Sequence, residues 1–344
     1  MKSTKKDVYF VQTILFSLVC AGLVFGYSIY SSKGFFTVFG DFNVQQLTFA
    51  TDVWNMLHSG DPGEWIWNID LGTSFITAFS FYNLGSPFFW LSLLAPKGAF
   101  PYLAGFLYIL KYVTAAATAY LYLRLFLDNR KWGVIGALLY AFSGYQTTNL
   151  VFYHFHDVTA VFPLLLWSLE MSMRDKKYRP AFILSVFINC LVNYYFFVGE
   201  VVFLVIYYLV RYRKLPKRQF FSGILSTALC GILGIGMAAV LFIPNVIYML
   251  GNARGQNKLH LNSLTYSSID FLHVIKGVLF PAECVNDHSA VIQKQFCSTS
   301  AYLPFFGISL AIAYLKGKKK TWLSDLLWIL GGISLFPLLN SIFR

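Results

Sequence analysis

The chain has 344 residues, of which 57% are hydrophobic, 19% aromatic and only 12% charged. A soluble domain carries about a quarter charged residues, so lipid is the implied solvent. The net charge of +12 does not point to nucleic acid, because Lys and Arg gather in short segments between apolar runs and form no single basic face.

Taken in chain order, the first apolar run lies near 8 to 30, behind Lys2, Lys5 and Lys6. It is too long for a signal-peptide core and no small-residue cleavage site follows, so it reads as a retained signal anchor. Further apolar runs lie near 102 to 127, 132 to 150, 157 to 173, 219 to 243, 301 to 316 and 322 to 342. A helix of about 18 residues or more crosses a hydrocarbon core of about 30 Å while satisfying its own backbone. Between the runs sit Arg124/Arg130/Lys131, Arg174/Lys176/Lys177/Arg179, Arg211/Arg213/Lys214/Lys217/Arg218 and Lys316/Lys318/Lys319/Lys320. Basic loops stay in the cytoplasm, which puts the N-terminus there too. All six histidines and most carboxylates then fall outside, at 31 to 101, 150 to 158, 193 to 200 and 244 to 300.

The segment from Lys33 to about Pro101 is too long and aromatic for a passive connector and is expected to be structured. Val44, Leu47, Val53, Trp54 and Leu57 make a rough helical stripe suited to the membrane surface. Phe88 to Leu94, bracketed by Pro87 and Pro96, is too short to span and reads as a re-entrant or interfacial piece. Residues 180 to 210 have basic clusters at both ends, so an odd number of crossings would strand one cluster outside. Roughly 46 Å of helix is too long for one upright span and enough for two short halves, so a hairpin turning near Asn193, Tyr194 and Tyr195 is expected, bordering an aqueous site. The second outer loop, 244 to 300, begins at Pro244 and holds Arg254, Lys258, His260, Asp270, His273, Lys276, Glu283, Asp287 and His288. Cys284 and Cys297 share that loop and could bridge; Cys20, Cys190 and Cys230 lie in apolar runs as packing residues. No repeat, phosphate loop, dinucleotide fingerprint or CxxC pair is present, so no energy-coupling cofactor is expected.

Several residues could carry chemistry. Asp41, in Gly40-Asp41-Phe42-Asn43-Val44-Gln45, stands about ten residues beyond the first span, where lipid-linked substrates present their head groups. It is either a general base for an acceptor hydroxyl or an ordinary helix N-cap. Trp65, Trp67, Asn68, Asp70 and Gly72 can stack on and hydrogen-bond sugar rings, or serve as an interfacial aromatic belt. His154, His156 and Asp157 invite a metal reading, but two histidines two apart on one helix do not share a face; a hydrogen-bonded loop is the expectation and no metal site is assigned. Lys111 and Glu200 are intramembrane charges that either line a site or pair structurally. Arg254, Lys258 and Lys276 could hold a lipid phosphate or attract phospholipid head groups.

These residues and their surroundings resemble the YfhO family of bacterial membrane proteins along almost the whole length. The stretches that carry the resemblance are Gly40-Asp41-Phe42-Asn43 with Gln45, Leu71-Gly72, Phe81-Tyr82-Asn83-Leu84-Gly85-Ser86-Pro87-Phe88, Ala141-Phe142-Ser143-Gly144-Tyr145, Pro163-Leu164-Leu165-Leu166-Trp167, Asn193-Tyr194-Tyr195-Phe196-Phe197 and Gly234-Ile235-Gly236-Met237-Ala238-Ala239 with Pro244 and Arg254. The resemblance implies an all-α polytopic membrane protein, a GT-C-like transmembrane bundle forming one domain of about nine spans with two structured outer loops. It implies a glycosyltransferase that uses a polyprenyl-phosphate-linked sugar as donor, with Asp41 as catalytic base and a cell-envelope polymer such as teichoic acid as acceptor. Gln45, Trp65, Trp67, Asp70, Asp157, Arg254 and Lys258 are then the expected substrate contacts. Family members are usually longer, so a truncated or split member is expected. The rival expectations are a transporter or flippase of lipid-linked intermediates, gated by Lys111, Glu200 and the broken hairpin, and an inactive remnant.

Overall fold

The computed structural model describes residues 7–60, 63–67, 69, 71–251, 272, 275, 277–280, 302–303, 307–317 and 320–334. Among the described residues, four helices are long and apolar enough to cross a membrane: α1 (Val8–Ser31), α5 (Phe100–Leu123), α10 (Tyr194–Tyr212) and α11 (Lys217–Met237). Around them stand α6 (Lys131–Ala141), α7 (Gly144–Thr148), α8 (Phe155–Arg174), α9 (Arg179–Val192), α12 (Ala239–Gly251), α13 (Gly307–Lys316) and α14 (Trp322–Ser334). The outward faces of α1 and α11 expose apolar side chains, among them Leu23, Val24, Phe221, Leu225 and Ile232, the surface a helix shows to lipid.

The basic segments meet at one end of the bundle. Asp7, just before α1, pairs with Arg124 at 3.2 Å and Arg130 at 3.0 Å and accepts a hydrogen bond from Tyr120. Burial raises the Asp7 carboxyl, but the Tyr120 hydrogen bond and the Arg130 charge, aided by Phe10 N–H and Arg124, outweigh it and hold the group below the usual carboxylate range. Beside it, Arg211 grips Glu170 through Nε at 2.8 Å and a second nitrogen at 3.3 Å and stacks 4.8 Å from Trp322. Arg213 pairs with Asp325 of α14. α1, α5, α8, α10 and α14 are thus tied together at the end where their arginines lie.

The run 180–210 breaks at Asn193, whose extended backbone (φ −162°, ψ 101°) ends α9 and whose Oδ1 accepts N–H bonds from Tyr195 and Phe196 to cap α10. α10 then runs back. Phe155 meets Phe196, Phe162 meets Phe203 and Glu170 meets Arg211, a constant offset of 41 residues. α10 therefore lies parallel to α8, and the chain turns at Asn193 as a hairpin.

The first loop folds onto the opposite end. A π-helical turn (Phe42–Gln46) leads into α2 (Leu47–Ser59); a two-residue antiparallel ladder pairs β1 (Trp65–Ile66) with β2 (Thr73–Ser74); then follow α3 (Phe75–Phe79), a second π-helical turn (Ser80–Leu84) and α4 (Pro87–Ser92). Leu47, Val53 and Trp54 are buried as the stripe requires, whereas Val44 is 75% exposed. The π turn adds a residue to the helical register and rotates Val44 out of the stripe. The buried face of α2 packs into the protein core with Phe79, Phe89 and Phe100 instead of lying on lipid. Pro87 occupies the first turn of α4 and Ser86 caps it by accepting Phe89 N–H at 3.1 Å. Gly85 is pressed so closely on the Leu191 carbonyl that a Cβ would overlap it, which locks the loop to the hairpin tip. Pro244, expected to open the second loop, lies inside α12: the helix continues through it to Gly251, at the cost of one backbone hydrogen bond.

Candidate functional site

The π turn that carries Asp41 is held from below. Phe42 inserts among Phe36, Tyr108 and Tyr153, and Gly40 (φ +53°) sits against Val151, a backbone conformation that favours glycine. Asn43 Oδ1 accepts Val38 N–H at 3.1 Å. Asp41 precedes the turn in a helical conformation, and its side chain makes no capping hydrogen bond. Among the described residues nothing donates to its carboxylate, so the N-cap explanation does not apply. Next to it, Gln45 Oε1 accepts from Gln46 Nε2 at 3.2 Å, and Gln46 Oε1 pairs with His154 Nδ1 at 2.7 Å.

Val151 and His154 belong to a short strap, residues 149–154, tied at three carbonyls. His156 Nε2 reaches Asn149 O at 3.0 Å, Tyr108 donates to Leu150 O at 2.7 Å, and Lys111 Nζ donates to Tyr153 O at 2.9 Å. Tyr108, Lys111 and Tyr112 share one face of α5 because they are three and four residues apart. Lys111 also lies 2.6 Å from Asp157 Oδ1 and 3.0 Å above the Tyr153 ring. Both members of this ion pair are sealed, at 0% and 1% exposure. Ser86, from the first loop, faces the Asp157 carboxylate. An ion pair buried at this depth survives only with both partners present, so it fixes the strap and, through Val151 and Tyr153, the seat of Asp41.

The remaining sequence-derived residues divide. Asp157 is 1% exposed and paired with Lys111. His154 and His156 point to different partners, and no group of His, Cys, Asp or Glu suited to a metal ion occurs among the described residues. Glu200 on α10 is buried, and one of its oxygens has no partner. Trp67 is 78% exposed and meets Trp65 edge-on. Trp65 walls a cleft of about 600 Å³ whose other side is α12, with Ile243, Pro244, Ile247 and Tyr248. Asn68, Asp70, Arg254, Lys258, Lys276, Cys284 and Cys297 lie outside the described residues. Gln46, Ser86 and the α12 wall are additions that the sequence did not single out. So is Asp52 on α2, whose carboxyl burial pushes above its usual range.

Residues 13–344 match the family described as bacterial membrane protein YfhO. The chain belongs to the YfhO family. Its helical, lipid-facing architecture agrees with a multi-pass membrane protein of that family. No curated protein and no solved structure matches it.

Proposed function

We propose that this YfhO-family chain is a membrane glycosyltransferase that moves a sugar from a polyprenyl-phosphate donor onto a cell-envelope acceptor, such as teichoic acid, on the extracytoplasmic face. The observation that carries the reading is Asp41: a carboxylate with no partner among the described residues, on a turn braced by buried aromatics and a buried ion pair. A free, fixed carboxylate suits a general base, which must accept a proton within hydrogen-bond reach. The acceptor hydroxyl gives its proton to Asp41 as its oxygen bonds the anomeric carbon. The carbon–oxygen bond to phosphate breaks on the opposite face, and the configuration inverts. Arg254 and Lys258 hold the leaving phosphate, and Gln45, Trp65, Trp67 and Asp70 position sugar or acceptor. Asp157 enters as a brace for the strap.

The convergence of the arginines at one end supports a cytoplasmic N-terminus with about nine crossings, counting the short α6, α9, α13 and α14 among them. A second reading, a transporter or flippase of lipid-linked intermediates, is favoured by Glu200, a buried carboxyl with no ionic partner among the described residues. Lys111 is less suited to gating, since it is tied to Asp157 and Tyr153. Proteoliposomes separate the two readings. Transfer of labelled sugar from a polyprenyl-phosphate donor, without net movement of the lipid across the bilayer, is expected; translocation without transfer would replace the first reading with the second.

A further inference from the structure

The cleft beside Trp65 has a composition different from what a lipid phosphate requires. On one side are Trp65, Gly72, Thr73, Ser74 and Thr77. On the other, Ile243, Pro244 and Ile247 form an apolar wall that ends at the Tyr248 ring. Gly72 (φ +116°) makes the first side possible: a Cβ there would come within 2.7 Å of Trp65 Nε1, so only glycine lets the indole lie flat across the turn. The described residues that line the cleft are all uncharged. Bringing a phosphate into such walls would strip its water without supplying a cation, whereas an aromatic ring and hydroxyls are suited to the face and rim of a sugar.

The apolar wall is continuous with a lipid-facing stripe. Val240, Ile243, Ile247 and Leu250 recur at helical spacing on α12 and are all exposed by half or more. A chain lying along this stripe would enter the cleft sideways, from the bilayer, and bring its head against Trp65.

We propose that this cleft binds the uncharged glycosyl head of a glycolipid, with the sugar against Trp65 and the polar side of Thr73, Ser74 and Thr77 and the lipid chain along Ile243 and Ile247. Phosphate is handled elsewhere, so the cleft receives an acceptor glycolipid and not the charged part of the donor. The name acceptor rests on the transferase reading; binding itself does not.

The test uses the full chain in phosphatidylcholine nanodiscs and two probes, a dodecyl glucoside and a dodecyl phosphate brominated alike in the chain. Bromine quenches indole on contact, and the wild-type signal minus that of Trp65→Phe isolates Trp65. Saturable quenching by the glucoside is expected, with a half-saturation for the phosphate at least about tenfold higher. Thr77→Phe, which fills the cleft, is expected to abolish saturation while the unfolding temperature holds. Ile247→Gln gives a second route if the first variant fails to fold, and is expected to weaken binding by roughly tenfold through the lost apolar wall. Equal quenching by both probes, or linear quenching that Thr77→Phe leaves unchanged, would overturn the proposal. Asp41→Asn is expected to leave the quenching intact. If wild-type protein moved no sugar from a polyprenyl-phosphate donor while the quenching remained saturable, the transferase reading would fall and the cleft would stand.

Discussion

Replacing Lys111 by Met keeps an unbranched side chain one atom shorter and removes its charge. Lys111 Nζ supplies the 2.6 Å contact to Asp157 and the 2.9 Å bond to Tyr153 O, and Asp157 is 1% exposed, so the variant strands a carboxylate in a sealed site. Breaking one side of a buried pair costs about 3–5 kcal/mol. Protonation sets a ceiling: neutralising an aspartate of ordinary pKa near 3.9 at neutral pH costs about 4 kcal/mol at 1.36 kcal/mol per unit. A loss of about 4 kcal/mol corresponds to a melting shift of about 5–6 °C for a chain of this size. The assay is thermal unfolding in detergent, read by mass-spectrometric alkylation of the buried Cys190. Lys111→Met with Asp157→Leu removes both charges and is expected to recover most of the loss, since replacing a whole buried pair by apolar groups is close to neutral. A single variant within about 2 °C of wild type, or a double variant no better than the single, would refute the argument that this pair fixes the strap.

Gly85→Ala is expected to lower the unfolding temperature, because its Cβ overlaps the Leu191 carbonyl at the hairpin tip and forces a backbone shift costing about 1–3 kcal/mol; Gly26→Ala, in open space on α1, should be neutral or stabilising by up to about 1 kcal/mol in the same scan. The folded-state pKa of Asp7 is lowered, so its contribution to stability is present above the ordinary value of 3.8 and is lost as the pH falls through the lower folded value. Asp7→Asn should therefore melt below wild type at neutral pH, and the two curves should converge in strong acid; a gap that persists there would contradict the ion-pair account. On whole cells, a membrane-impermeant maleimide should label Trp67→Cys and spare Arg130→Cys, both exposed positions, if the aromatic end faces outward. The reverse pattern would invert the topology.

Much of the architecture was legible from charge spacing. Basic clusters at both ends of 180–210 required a return, and the offset of 41 between α8 and α10 is that return. Local chemistry was legible where one residue decides it, as with the break of the 180–210 run at Asn193, whose side chain caps α10. What escaped the sequence depended on phase or on distant partners. The π turn shifts the α2 stripe by a residue, and no composition marks it. Pro244 reads as a helix end, yet α12 continues through it at the cost of one backbone hydrogen bond, and the α12 wall was hidden by that reading. Lys111 and Asp157 each drew attention alone; their pairing needs α5 against α8 and cannot be read from positions 46 residues apart. By spacing alone Asp41 reads more readily as a cap than as a base, yet the turn forms without its carboxylate.

The central claim is that Asp41 accepts the proton of the attacking hydroxyl. The most direct measurement is the rate of sugar transfer from a polyprenyl-phosphate donor by the reconstituted full chain and its Asp41→Asn variant, with unfolding temperatures taken on the same preparations. Because nothing among the described residues pairs with this carboxylate, the variant should melt with wild type while transfer falls by about 10²–10⁴-fold. Transfer at the wild-type rate in a normally folded Asp41→Asn protein would contradict the account.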